Sequence, residues 1–246
     1  MSVVRLIHSV ALIPVFLLWT ALMALLSLLV SLVDRTGRLQ HGCARTWARL
    51  ILRLSGAVIH AENVALENGP GPYIFVSNHQ SFFDIFSLLA LLPVQFRFFA
   101  KESLFRTPFI GWHLRRAGHL PIDRSNSRAA YQSFQAAIER IKAGDSVLVF
   151  PEGSRSRDGQ IGSFRKGSLR LALTSGVPVV PIAIYGSRFL LPRGSMLISP
   201  GHIHVSVGKA IVPSEVDLHQ KDLFVESVRA DIVERYKNLA VRSLKN

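Results

Sequence analysis

The strongest constraint on this chain lies near its start. Residues 11–33 read ALIPVFLLWTALMALLSLLVSLV, without a single charge. About 20 apolar residues suffice for a helix to cross the hydrocarbon core of a bilayer. A signal peptide has a shorter apolar core, about 7–15 residues, with a small-residue cleavage site behind it. Here the run is longer and Asp34-Arg35 follows directly. The segment therefore reads as a retained anchor, and Pro14 near its start does not exclude a helix, because neighbouring structure can compensate for the lost bond.

Residues 36–54 read as a second helix. Leu39, Cys43, Trp47, Leu50 and Leu54 recur at three- and four-residue spacing, while Arg38, Arg45, Arg49 and Arg53 fall largely on another face. A basic amphipathic helix with an aromatic residue suits the headgroup layer, although the same pattern fits a helix packed on a soluble domain. Residues 1–56 are thus expected to form a membrane-anchoring helix pair, the first helix either spanning the bilayer or entering one leaflet. Arginines are denser after residue 34 than before residue 11, where Arg5 stands alone. That asymmetry places the rest of the chain on the cytoplasmic side.

The chain has 29 Lys and Arg against 16 Asp and Glu, a net charge of +13. Such a balance favours anionic partners: phospholipid surfaces, phosphorylated substrates or nucleic acid. One cysteine, Cys43, excludes an internal disulfide framework. From residue 57 the pattern changes to short apolar runs separated by helical stretches. Segments 73–77, 96–100, 146–150, 179–185 and 202–207 read as strands, and 84–92, 126–143, 164–175 and 214–240 as helices. Ser125 or Asn126 would cap the second of these helices, and a Ser214/Asp217 capping box the last. Strands alternating with helices predict an α/β fold over 57–246, a mixed, largely parallel sheet flanked by helices. That domain is expected to fold without residues 1–55.

In open α/β sheets ligands gather beyond the carboxyl ends of strands. One stretch there is Asn78-His79-Gln80-Ser81-Phe82-Phe83-Asp84. Ser81 and Asp84 have capping-box spacing, so the Asp84 carboxylate points back from the first helical turn toward His79. An Asp84–imidazole hydrogen bond would leave the other ring nitrogen free to take a proton. The heptapeptide alone also fits a plain helix cap beside an ordinary loop histidine. Other polar stretches are Gly118 to Arg124 and Phe150-Pro151-Glu152-Gly153-Ser154-Arg155-Ser156. An apolar stretch, Val177-Pro178-Val179-Val180-Pro181-Ile182, follows them.

These four blocks, in this order and spacing, resemble the glycerolipid acyltransferases, most closely the bacterial 1-acyl-glycerol-3-phosphate acyltransferases. That family carries Asn-His-x-x-x-x-Asp, a block ending in Arg, Phe-Pro-Glu-Gly-Thr-Arg-Ser, and a Val-Pro-x-x-Pro block. Here Ser154 replaces the commoner Thr and keeps the hydroxyl, and Pro121 replaces a more usual apolar residue. The match covers roughly residues 73–185, and the N-terminal helix pair is also similar. The resemblance implies a membrane-bound enzyme that transfers a fatty acyl group from acyl-CoA or acyl carrier protein. The acceptor would be the sn-2 hydroxyl of 1-acyl-sn-glycerol-3-phosphate and the product phosphatidic acid, made without a cofactor at the bacterial inner membrane, on its cytoplasmic side. Another lysolipid, such as a lyso-aminolipid, or glycerol 3-phosphate is an alternative acceptor.

The residues suit that reaction. A hydroxyl needs a base, and His79 oriented by Asp84 would be one. Backbone N–H groups at the start of the following helix would stabilise the oxyanion. Arg155 and Arg124 supply planar, permanently charged donors for a phosphate, with Lys101 as a third cation. Gly153 and Ser154 complete the substrate-binding loop. Glu152 would hold that loop or a substrate hydroxyl and, beside arginines, should stay ionised and weakly basic. No G-x-S-x-G elbow offers a covalent nucleophile, so direct transfer is favoured. His202 and His204 share a strand face, but two histidines without a carboxylate pair point to structure more than to metal. A membrane-anchored nucleic-acid-binding protein is a distant alternative. The basic residues lack the interleaved aromatics of a stacking platform, so no nucleic acid is expected.

Overall fold

A computed structural model describes residues 3–66, 71–123, 127–213 and 221–244. The elements in chain order are α1 (Val3–Val30), α2 (Arg38–Leu54), β1 (Ala57–Glu62), β2 (Ile74–Ser77), α3 (Phe83–Leu91), β3 (Phe96–Lys101), α4 (Glu102–Phe105), α5 (Ile110–Arg116), β4 (Leu120–Ile122), α6 (Ser127–Lys142), β5 (Ser146–Val149), α7 (Lys166–Ser175), β6 (Val179–Tyr185), α8 (Ser187–Leu190), β7 (Gly201–Val207) and α9 (Lys221–Ser243). The strands form one seven-stranded sheet in the order β1-β7-β6-β2-β5-β3-β4. β2, β3, β4, β5 and β6 run parallel; β7 is antiparallel to β6 and parallel to β1. The expected mixed, largely parallel sheet is therefore present.

The period-2 alternation of the strands sorts the core into two layers. Phe75, Leu148, Val180, Ile182 and Ile184 face one way, joined by Leu12 of α1, Ala48 and Leu52 of α2, and Leu88 and Leu89 of α3. Ile74, Val76, Val147, Val149 and Val179 face the other way, under residues of α6, α7 and α9. Central strands β2 and β5 are buried throughout, as expected of parallel strands covered on both faces.

One strand was not anticipated. β1 follows α2 after a short turn, and its residues alternate between partly buried and exposed. Its sequence, AVIHAE, has no continuous apolar run to announce it. β4 is the edge strand bearing Pro121, paired with β3 in the register Ala100↔Pro121. Proline is tolerated there because an edge residue has no neighbour awaiting its N–H. The last helix is described from Lys221 and continues to Ser243. The proposed caps at Ser125, Asn126, Ser214 and Asp217 lie outside the described residues.

The N-terminal pair does not stand apart from the sheet. Leu12, Ala44, Ala48 and Leu52 belong to the same hydrophobic core as β2, β5 and β6. Along α1, Arg5 donates to the Leu197 carbonyl (3.3 Å), and Ser9 Oγ accepts from the Ile198 amide (2.9 Å). Farther along, Ser27 Oγ lies 2.7 Å from His113 Nδ1 on α5. Where the chain turns between α1 and α2, the buried Arg97 donates to the Thr36 carbonyl (3.0 Å) and pairs with Asp145 (3.2 Å). Gly37 sits there at φ 78°, and a Cβ would come within 2.4 Å of Arg97 Nη2.

The predicted apolar stripe of α2 divides between two surroundings. Cys43 is buried, whereas Leu39 and Leu54 are exposed. The side facing the domain uses Gln40, His41, Ala44, Ala48, Ile51 and Leu52. On α1, Ile7, Leu17, Leu18, Leu22 and Leu29 are each more than half exposed. The helix is long and apolar enough to cross a membrane, yet one side of it is fastened to the folded domain.

Candidate active site

β2 ends at Ser77, and the chain turns sharply into α3. Asn78 makes that turn by imitating a strand residue. Its side-chain amide donates to the Ile184 carbonyl (2.9 Å) and its Oδ1 accepts from the Ile184 amide (2.8 Å). The loop is thereby fixed to β6, and His79 is presented at the carboxyl edge of the sheet.

Asp84, fully buried, lies in the first turn of α3. Its Oδ2 is 2.8 Å from His79 Nδ1 and also accepts the amides of Gln80 (2.6 Å) and Ser81 (2.9 Å). An ionised carboxylate only accepts, so Nδ1 carries the proton and Nε2 has the free lone pair. Among the described residues no side chain bonds to Nε2. The imidazole is also stacked on Phe150, with ring centroids 4.0 Å apart and planes 19° from parallel. Asp84 thus fills both roles read from the sequence, loop cap and imidazole partner. The cap geometry has a chemical consequence. The Gln80 and Ser81 amides are bound to Asp84, and the Phe83 amide to Ser81 Oγ (3.3 Å). Those three amides, at and just before the start of α3, are already engaged.

The loop after β5 brings in the next group. Gly153 adopts φ 77°, a left-handed turn at which a side chain would be strained. Glu152 Oε1 accepts the His79 amide (2.9 Å) and Oε2 accepts the Gly162 amide (3.0 Å). Burial pushes its carboxyl above the ordinary range, opposed by those two hydrogen bonds and by His79. Desolvation, which the sequence reading did not weigh, is thus the largest influence on this carboxyl. Its place is between the two loops, each oxygen engaged by a backbone amide.

Arg155 lies with its guanidinium carbon 4.1 Å from the Phe82 ring centroid, above the start of α3. Glu152, Ser154 and Arg155 line an open cleft of about 360 Å³ with Arg157, Asp158 and Arg193. Lys101 is exposed at the end of β3 and pairs in register with Ile122. β3 is separated from β2 by β5, roughly 10 Å at the usual strand spacing. Lys101 thus shares the sheet edge, and no hydrogen bond or ion pair joins it to the cleft among the described residues. Arg124, two residues beyond β4, lies outside the described residues.

Two contributors were not read from the sequence. Tyr236 on α9 bonds to Gln80 Nε2 (2.8 Å) and donates to the Gly159 carbonyl (2.9 Å), while Gln80 also donates to Gly159 (2.9 Å). This triangle ties the C-terminal helix to both active loops. Arg193, in the loop after α8, donates to the Arg155 carbonyl (2.6 Å). Neither has a local sequence signal, because their partners lie 156 and 38 residues away. His202 and His204 do gain a neighbour in His60, but the His60 ring stacks against both. Among the described residues no group of three or more His, Cys, Asp or Glu is placed to hold a metal ion.

The geometry can be set beside known proteins. Residues 58–185 match the family model described as Acyltransferase. A chloroplastic 1-acyl-sn-glycerol-3-phosphate acyltransferase of Brassica napus is 38% identical over 194 residues, covering 77% of this chain and 55% of the relative. The 1-acyl-sn-glycerol-3-phosphate acyltransferase of Pseudomonas aeruginosa is 34% identical, covering 68% and 66%. The chain thus spans little more than half the length of the plant relative. The crystal structure of the 1-acyl-sn-glycerophosphate acyltransferase PlsC of Thermotoga maritima has the same fold, with a TM-score of 0.84 at 24% identity over 96% of both chains. On the matched span and the identities together, the chain belongs to the acyltransferase family.

Proposed function

We propose that this protein transfers a fatty acyl group from a thioester, acyl-CoA or acyl carrier protein, to the sn-2 hydroxyl of 1-acyl-sn-glycerol-3-phosphate. The observation that carries this reading is the His79–Asp84 pair with Nε2 free, one loop from an arginine-lined cleft. Nε2 takes the hydroxyl proton as the oxygen attacks the thioester carbonyl. The tetrahedral oxyanion collapses and expels the thiolate, which recovers the proton from the imidazolium. Asp84 offsets the imidazolium charge throughout. Arg155 binds the acceptor's phosphate, and Arg124 joins it. Glu152 acts by holding the His79 loop against the loop that carries Arg155. The names of the relatives support the choice of acceptor.

The site acts at a phospholipid surface. Supporting this are the exposed leucines of α1 and the net charge of +13. The positions of Arg5, Ser9 and Ser27 support insertion in one leaflet rather than a crossing. Their bonds to the domain extend over 22 residues of helix, about 33 Å at 1.5 Å per residue. A helix held along a folded domain for that distance runs beside it and does not leave it for the far side. The excess of Lys and Arg supports placement against the anionic cytoplasmic leaflet.

The test is an acyl-transfer assay on membranes, offering several lysolipids with both acyl-CoA and acyl carrier protein. Transfer to lysophosphatidic acid above the other acceptors is expected. His79→Ala should lower it by about 10²–10⁴-fold, the usual contribution of a positioned base. Turnover within tenfold of wild type would remove His79 from the chemistry.

A further inference from the structure

Arg155 and Arg193 form a pair of like charges at one side of the cleft. Arg193 Nη1 donates to the main-chain carbonyl of Arg155, and both side chains line the same cavity with Arg157. Among the described residues no carboxylate lies within ion-pair distance of any of the three. The two carboxylates on that cavity are otherwise engaged. Glu152 accepts from the His79 and Gly162 amides, and Asp158 Oδ1 from Ser156 Oγ and the Gln160 amide, both at 2.9 Å. The cleft therefore holds an excess of positive charge that the protein leaves without an ion-pair partner. Burial, and then the neighbouring Arg193, push the Arg155 guanidinium below its ordinary value, with Asp84 opposing, as expected of a part-buried cation beside a like charge.

The Arg193 loop is fastened to both halves of the site. Ser81 Oγ, at the entrance to α3, donates to the Leu191 carbonyl (2.8 Å). Two residues on, Arg193 reaches the Arg155 loop. A guanidinium has five N–H donors, and the bond to Arg155 uses one of them. The remainder are free to meet a ligand, with the side chain already held in place. Such pre-organised forks suit phosphate oxygens.

We infer that Arg193 is a phosphate-binding, specificity-determining residue of the acceptor site, joining Arg155 in discriminating phosphorylated from unphosphorylated acylglycerol. This rests on the acyl-transfer reading for its substrate and adds a residue to which the four sequence blocks gave no clue. A phosphate monoester offers the peripheral oxygens that two converging guanidinium groups require. An acylglycerol without phosphate offers the cluster nothing.

The experiment compares wild type with Arg193→Ala, Arg193→Gln and Arg193→Lys on lysophosphatidic acid and on monoacylglycerol. Equilibrium binding of lysophosphatidic acid without acyl donor is measured in parallel. Arg193→Ala should lower kcat/KM on lysophosphatidic acid by about 10- to 100-fold, mainly through KM, and change monoacylglycerol transfer less than about threefold. Arg193→Gln can keep a bond to the Arg155 carbonyl without the charge and should show the same selective loss. Arg193→Lys should recover part of it. An equal loss on both acceptors, or recovery by Gln, would make Arg193 a staple for the Arg155 loop and overturn the inference. No loss on either acceptor would overturn it as well. If wild type transfers nothing to lysophosphatidic acid, the functional reading falls, and the binding comparison still decides Arg193: unchanged affinity in Arg193→Ala rejects it.

Discussion

Asp84 shows how one side chain can be asked which of two jobs it performs. Its Oδ2 receives all three bonds, from the imidazole and two amides, while the buried Oδ1 has no hydrogen-bond partner. An asparagine with its oxygen at the Oδ2 position would keep all three bonds and lose only the charge. Asp84→Asn should therefore leave the loop intact, at an expense of roughly 1–3 kcal/mol for the buried, unpartnered amide nitrogen. If the charge matters to the imidazolium, kcat should fall by at least about 100-fold. Retained activity with lowered thermal stability would assign Asp84 to capping alone. The pair was legible in the sequence because five residues and a capping box fix its geometry locally. Glu152 was legible as a site residue but not in its environment, since its burial depends on Gly162 and His79 arriving from elsewhere. Tyr236 was not legible at all. As a positioning residue it should show itself in Tyr236→Phe, which keeps the ring and removes both hydroxyl bonds. Steady-state kinetics should show lower kcat with KM for acceptor nearly unchanged. An unaltered kcat would make the triangle with Gln80 and Gly159 dispensable.

Between elements, the contact of α1 with α5 includes a histidine that the strand and helix patterns could not weigh. His113, beside Ser27, is brought down to about 4 by desolvation, with Arg97 adding repulsion. His119, whose ring lies 5.7 Å from that of His113, is buried and lowered for the same first reason. The unfolded chain protonates such histidines near the ordinary value of about 6.5, before the folded one does. Their stabilisation is complete above that value and is lost as pH falls toward the folded value. Between pH 6.5 and about 4, wild type should lose stability more steeply than His113→Gln when unfolding is followed in detergent. Parallel curves would show that His113 does not titrate on unfolding. The same packing revises the expectation for a chain without residues 1–55. Ile51 and Leu52 are nearly fully buried in the core, and each apolar side chain of that kind is worth about 1.5–3 kcal/mol. Truncation should therefore give an aggregated or strongly destabilised domain, and a monodisperse product with a wild-type melting point would contradict the shared core. The sequence showed where α2 begins and ends, since its turn and spacing are local. It did not show that Ala44 and Ala48 face the domain, because small residues carry little apolar signal until a partner surface is known.

At the scale of the molecule, the apolar run and the acyltransferase sheet are parts of one body, and this bears on the proposed membrane contact. A free 28-residue helix of this composition would span. Here Arg5, near one end of α1, is bonded to Leu197 of the domain, and Ser27, near the other, lies against α5. Both ends of the helix are thus held on the domain's side. Its outward leucines would enter the acyl chains of the near leaflet, and the exposed Leu39 and Leu54 of α2 would enter beside them. The substrate's own acyl chain would then stay in that leaflet while its phosphate reaches Arg155. Carbonate extraction should leave the protein with the membrane, and release into the soluble fraction would contradict insertion of any kind. Topology needs a second measurement, because a spanning helix resists carbonate equally well. With Cys43→Ser removing the one native thiol, a single Ile7→Cys can be tested in sealed vesicles with a charged, impermeant maleimide. Ile7 is 64% exposed and lies two residues from Arg5. Any labelling should require reagent on the side of the vesicle that also exposes Arg193→Cys in the same background. Reaction of Ile7→Cys from the opposite side would place the start of α1 across the bilayer. The bonds of Arg5 and Ser9 to residues 197 and 198 would then have to break in the membrane.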